Sequence, residues 1–174
     1  MKHLTYFSAL ALLVAAAPAS ALDMRPGLWE ISSDDIQVDG TEMPGMAEMV
    51  EQMKALPPEQ RKMMEDMLAA QGVQLGAGGI RMCLSAEQVK SRELPFQDEP
   101  GCSQKVTEQT DDLWRFSFEC PDAKGTGETR LISDREVASV IDSQYRTGDQ
   151  EGSSRIQSQG RWLSDDCGTL KPRK

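Results

Sequence analysis

Few residues in this chain are equipped for making or breaking bonds. His3 is the only histidine among 174 residues, and it falls in a stretch that reads as an export leader. An exported product then has no imidazole. That removes the commonest general base, the Ser-His and Cys-His nucleophile arrangements, and histidine-containing zinc and non-haem iron sites. No Ser-x-x-Lys spelling offers a lysine-activated serine and no Gly-x-x-x-x-Gly-Lys loop cradles phosphates. Gly125-x-Gly127 is not completed by a glycine three residues later. The expectation is a protein that is not an enzyme and holds no cofactor.

Three acid doublets remain: Asp34-Asp35, Asp111-Asp112 and Asp165-Asp166. Paired carboxylates can serve glycoside hydrolysis or a hard cation. Neighbours on a strand point to opposite faces, so a doublet does not converge. Each lies near a predicted bend, where aspartate is favoured by its turn hydrogen bonds. A carboxylate-based hydrolase therefore ranks behind the binding readings below.

Four cysteines, Cys83, Cys102, Cys120 and Cys167, contain no Cys-x-x-Cys pair. Behind an export signal, an even number favours structural disulfides over a redox or zinc site. If Asp111 is the centre of a turn, Cys102 faces Cys120 across an antiparallel hairpin, Gln104 faces Phe118, Val106 faces Phe116 and Glu108 faces Trp114. Strict alternation puts Trp114, Phe116, Phe118 and Cys120 on one face. The pairing expected is Cys102 with Cys120, which leaves Cys83 with Cys167.

Methionine is the residue used abnormally, with seven of the ten at Met43, Met46, Met49, Met53, Met63, Met64 and Met67. Three readings stand. Soft unbranched side chains can fill an irregular contact between helices and a sheet. They can form an adaptable apolar surface for a partner or a lipid-like ligand. Thioethers can also capture copper(I), because soft sulfur selects that ion. Met63 with Met67 can share a helix face, as can Met46 with Met49 or Met53; no metal ligand set is singled out.

The elements that must position these residues follow from periodicity. Pro26-Gly27 opens a strand whose apolar phase moves from Trp29 and Ile31 to Ile36 and Val38, so a bulge is expected near Asp34-Asp35. From Pro44 the spacing of Met46, Met49, Val50, Met53 and Leu56 is one helical stripe, broken by Pro57-Pro58. A second helix begins there, with Glu59 in its first turn, Met63, Met64, Met67 and Leu68 on its apolar side and Gly72 as its stop. Residues 44–72 thus read as a methionine-rich helical hairpin inserted between strands, and Gly72 to Gly79 as a glycine-rich connector.

Ile80, Met82 and Leu84 alternate into a short strand with Cys83 on its other face, and Ser85-Ala86-Glu87-Gln88 spells a capping box that starts a brief helix. After the cysteine hairpin come strands at Gly127 to Ile132, Val137 to Tyr145 and Arg155 to Leu163. Their polar connections are Ser133-Asp134-Arg135 and Thr147 to Gly152. Short turns between sequential strands argue for an antiparallel meander. The fold class expected is α+β: about seven strands, open, curled or barrel-like, with the inserted helices, in one domain spanning residues 22–170.

Met1-Lys2-His3, the apolar run Ala9 to Ala17 and Ala19-Ser20-Ala21 match a signal peptide over residues 1–21, with cleavage after Ala21. That apolar run is far shorter than the roughly 20 helical residues a bilayer requires, and no later segment comes closer. A periplasmic or secreted protein without a transmembrane segment is expected. Its net charge of −9 repels phosphate backbones, which speaks against nucleic acid as a partner. The one dense basic group is a short tail over residues 171–174.

Pro26-Gly27-Leu28-Trp29-Glu30, Met82-Cys83-Leu84-Ser85-x-Glu87-Gln88, the Cys102 to Cys120 hairpin, Gly125-Thr126-Gly127 and Asp166-Cys167 occur here in order. In these motifs the chain resembles a bacterial exported family known only as a domain of unknown function, number thirty-six seventeen. The resemblance covers most of the chain beyond the leader. It implies a small exported bacterial protein with a signal peptide, and no activity or ligand that transfers.

The reading that emerges is a non-enzymatic binding or interaction module of the bacterial envelope, for an apolar small molecule or a protein partner. If the helices cover a hollow in the sheet, Trp29, Trp114, Phe116, Phe118, Tyr145 and Trp162 form its wall. Met46, Met49, Met53, Met63 and Met67 face it from the helical side. Copper(I) handling is the alternative from another class.

Overall fold

The computed structural model describes residues 24–91 and 101–172. The leader expected at 1–21 and the last two residues of the basic tail lie outside these. Alternating apolar residues make Gly27–Val38 the first strand, β1. Its ladder slips between Ser32 and Asp35, the bulge that the change of apolar phase requires. Asp39 and Gly40 then both take positive φ, 52° and 75°. That is the two-residue hairpin loop whose twist matches its flanking strands, and Thr41–Met43 folds back on β1 as β2.

Helix α1 runs Met46–Lys54 and α2 runs Pro58–Ala70, with Pro58 in its first turn. Gly72, at φ 75°, ends α2. Arg61 of α2 donates to Lys54 O at the end of α1 at 3.2 Å, and α1 also packs on β1. Strand β3, Val73–Leu75, occupies part of what composition marks as a connector. It pairs with β4, Ile80–Leu84, because the glycine turn between them closes with Gly76 N donating to Gly79 O at 2.7 Å. A Cβ at Gly79 would collide with the Ile31 carbonyl, so this turn lies directly on β1.

The capping box forms as spelled. Gln88 N donates to Ser85 Oγ at 3.1 Å, Ser85 N donates to Gln88 Oε1 at 2.9 Å, and α3 follows over Ala86–Ser91.

Beyond it are β5 (Ser103–Gln109), β6 (Leu113–Glu119), β7 (Ala123–Ser133), β8 (Glu136–Thr147) and β9 (Gln150–Ser164). The last three outrun their expected ends, because their polar outward residues keep pairing after the apolar alternation fades. Gln104 faces Phe118 and Val106 faces Phe116 as expected. The register then shifts, so Glu108 faces Arg115, not Trp114, and Gln109 takes Trp114. The extra residue lets Asp111 and Asp112 fill a two-residue turn, closed by Thr110 N to Leu113 O at 2.9 Å.

The described residues thus form nine strands, not about seven, since periodicity cannot reveal three-residue strands such as β2 and β3. The antiparallel sheet runs β3-β4-β1-β9-β8-β7-β6-β5, with β2 also on β1, and it stays open between its β3 and β5 edges. Cys83 bonds Cys167 and Cys102 bonds Cys120, and no described cysteine is free. By register these staples sit at diagonally opposite corners, and their presence accords with an exported protein. Among the described residues, no helix is long and apolar enough to cross a membrane.

Candidate functional site

Cross-strand partners share a face, so register decides which side chains meet. Trp29 lies beside Trp162, Val137 beside Gly160 and Leu131, and Phe116 beside Gly127. All six sequence-expected aromatics are therefore on one face of the sheet. The opposite face is laced by ion pairs such as Glu30 with Arg81 at 3.0 Å and Asp142 with Arg155 at 2.7 Å.

The aromatic face is built by pairing large with absent side chains. The Phe116 ring covers Gly127, Phe118 covers Gly125 and Tyr145 covers Gly152, each so closely that a Cβ on the glycine would meet the ring. This accounts for the Gly125-x-Gly127 spacing. Trp29, Trp114, Leu131 and Val137 form the core, with Met24, Met82, Leu84 and Trp162 packed against it. Between the rings runs a band of hydroxyls: Ser33 with Ser158 at 2.7 Å, Thr129 with Ser139 at 2.9 Å and Ser143 with Ser154 at 2.7 Å.

Of the aromatics, Trp29, Trp114, Phe116 and Phe118 are buried, while Trp162 and Tyr145 are half-buried. Two guanidinium groups lie over the Trp162 ring, Arg25 at 5.4 Å and Arg135 at 5.1 Å from its centre. Its indole N–H donates to Pro26 O at 3.0 Å, and that of Trp29 donates to Arg25 O at 2.8 Å. Asp134 accepts from Arg25, which holds its carboxyl below the usual aspartate range and raises the guanidinium above its own. Sequence reasoning missed this cluster, because nothing local relates Arg25 to a turn so far along the chain.

Tyr145 donates to Asp39 Oδ2 at 3.3 Å, and Ser153 N donates to Asp39 Oδ1 at 2.7 Å. Partial burial, then the Asp39 charge, push the phenol up. The Asp39-Gly40 dipeptide after an alternating run is the signal that would have found this corner.

Two hollows open on the sheet. One of about 880 Å³ is lined across six strands by Gln37, Arg155, Asp142, Thr126, Ser117 and Lys105, and reaches Phe118. Another of about 560 Å³ lies by Asp39, Tyr145 and the Cys120 corner. The smaller one lacks the mainly apolar lining that a small apolar ligand calls for, the larger one is evenly mixed, and no tryptophan lines either one.

The methionines divide by burial. Val50 anchors α1 with no exposed surface, and Met46, Met53 and Met64 are half-buried. Met43 and Met49 are exposed, and Met63 and Met67 are 69% and 59% exposed. Helix α2 has no fully buried side chain; Met64 and Leu68 are half-buried on it. Its charges are taken up locally, Lys62 by Asp66 at 2.8 Å and Arg61 by Glu65 at 3.9 Å. Among the described residues, Met63 and Met67 thus stand one turn apart as an exposed apolar strip.

The acid doublets sit at bends. Asp35 accepts from Gln37 Nε2 at 3.1 Å beside the β1 bulge, Asp112 accepts from Thr110 Oγ1 at 2.9 Å, and Asp166 accepts from Gly168 N at 2.8 Å. Among the described residues, no group of three or more His, Cys, Asp or Glu is placed to hold a metal ion.

A family model described as protein of unknown function (DUF3617) matches residues 24–167. An uncharacterized protein in the lpd-3 5' region of Pseudomonas putida is 48% identical over 130 residues, covering 74% of this chain and 92% of that protein. No solved structure matches.

Proposed function

Since the chain belongs to the DUF3617 family, which supplies no activity to transfer, we propose on its own geometry that it is a non-enzymatic binding module of the bacterial envelope. The disulfide-stapled sheet is the scaffold, and the strip of Met63 and Met67 on α2, continued by the exposed Met43 and Met49, is the recognition surface. One observation carries this: among the described residues, α2 has no fully buried side chain and presents the adjacent thioethers of Met63 and Met67 to solvent. Flexible methionine surfaces re-pack around varied apolar shapes.

The occupant we favour is an apolar patch on a partner protein. No tryptophan lines either hollow and the smaller one is mainly polar, which disfavours a small apolar ligand, and the acids Glu48, Glu51, Glu59, Glu65 and Asp66 outnumber Lys54, Arg61 and Lys62 on the two helices, which disfavours anionic lipid. Basic residues around the partner's patch would complement this rim.

The test is native mass spectrometry of protein purified from its own compartment, beside a Met63→Lys/Met67→Lys variant with intact disulfides. The expected result is a protein partner retained by the parent and lost by the variant. Equal retention by both overturns the reading. A co-purifying lipid or copper(I) lost in the same variant would replace the protein partner by that ligand.

A further inference from the structure

We infer that Met63 and Met67 form a reversible oxidation site whose sulfoxides switch this helical surface off. The inference rests on the proposed binding role of the strip, and names how that role is regulated.

All four cysteines are consumed in disulfides, so no thiol competes for a two-electron oxidant and thioethers are the reactive sulfur. Their reactivity is graded by access. Met63 and Met67 are the most exposed, Met43 and Met49 follow, Met46, Met53 and Met64 are half-buried, and Met24 and Met82 pack against the tryptophan core. The oxidant class is a hydroperoxide. The sulfur donates an electron pair to the outer peroxide oxygen, the sulfur–oxygen bond forms as the oxygen–oxygen bond breaks, and the remaining oxygen leaves with a proton as water or an alcohol. Sulfur is oxidised and peroxide oxygen is reduced.

The position of the site decides the outcome. A sulfoxide is polar and chiral, and in a core it disrupts packing. At Met63 and Met67 there is little packing to disrupt, because both are mostly exposed and the half-buried apolar side chains of α2 are Met64 and Leu68. Oxidation there removes the apolar character of the strip while the sheet and its staples persist. Methionine sulfoxide reductases acting on both epimers restore the thioethers, with a dithiol as the reductant that becomes a disulfide while the oxygen leaves as water.

The experiment treats the folded, disulfide-bonded protein with graded hydrogen peroxide. It follows oxygen uptake at each methionine by peptide mass spectrometry, and surface apolarity by Nile red binding. Met63 and Met67 are expected to gain oxygen first and Met24 and Met82 last, with Nile red binding lost in step and regained after reductase treatment. A Met63→Leu/Met67→Leu variant is expected to keep its dye binding through the same treatment. Uptake at similar rates throughout, or loss of dye binding in the leucine variant as in the parent, overturns the inference. A parent that never binds Nile red overturns the apolar-surface reading instead, and the order of oxidation still judges the site.

Discussion

Arg25 grips Asp134 twice across 109 positions: its backbone N–H donates to the Asp134 carbonyl at 3.0 Å and its Nε to Oδ2 at 2.5 Å. This ties the chain just before β1 to the β7–β8 turn, over the face of Trp162. The carboxyl of Asp134 titrates below its ordinary value because of Arg25. A depressed carboxyl contributes stability that is complete above the unfolded aspartate value of about 3.9, and is lost as pH falls through the folded one. Asp134→Asn should therefore lower the urea midpoint at neutral pH and flatten its acid dependence. An acid limb as steep as the parent's would assign that dependence to other groups.

Trp29 is fully buried in the core and its indole N–H is satisfied by Arg25 O. Trp29→Ala removes both packing and that hydrogen bond. A loss of roughly 3–5 kcal/mol is expected from urea unfolding. Trp162→Ala, at the half-buried edge of the same cluster, should cost less.

Gly127 lies beneath the Phe116 ring, which is itself buried. Gly127→Ala forces that ring off its neighbour and should cost about 1–3 kcal/mol by overpacking. Shortening the ring in a Gly127→Ala/Phe116→Leu double variant should recover part of the loss. A double-mutant cycle with no coupling would place the strain elsewhere.

The disulfides span 18 and 84 positions. In a chain-entropy account, removing the Cys102–Cys120 staple should cost roughly 3 kcal/mol and removing Cys83–Cys167 between 4 and 5 kcal/mol. Paired Cys→Ala variants compared by chemical unfolding test the order. Peptide mapping without reduction should recover Cys83 linked to Cys167.

Val50 is the fully buried side chain of α1. Val50→Ala should weaken the seat of that helix on β1 by roughly 1–3 kcal/mol. The readout is faster proteolysis within residues 46–70, with the disulfide-bonded sheet left intact.

Local physics determined much of this molecule in advance. The phase change from Ile31 to Ile36 located the bulge, Pro57-Pro58 separated the helices, and Ser85 with Gln88 capped α3, because each is an interaction among near neighbours in the chain. The cysteine pairing was legible as well, but its register came out right only because the slip between Val106 and Glu108 offsets a turn one residue longer than expected. Tertiary structure alone decided the rest. Whether Met63 faces a core or water depends on what packs over α2, and helical spacing is identical in both cases. The seating of Arg25 on Asp134 and of Phe116 over Gly127 arises from strands brought side by side. Such contacts obey cross-strand register, which hydrophobic periodicity along one segment does not encode.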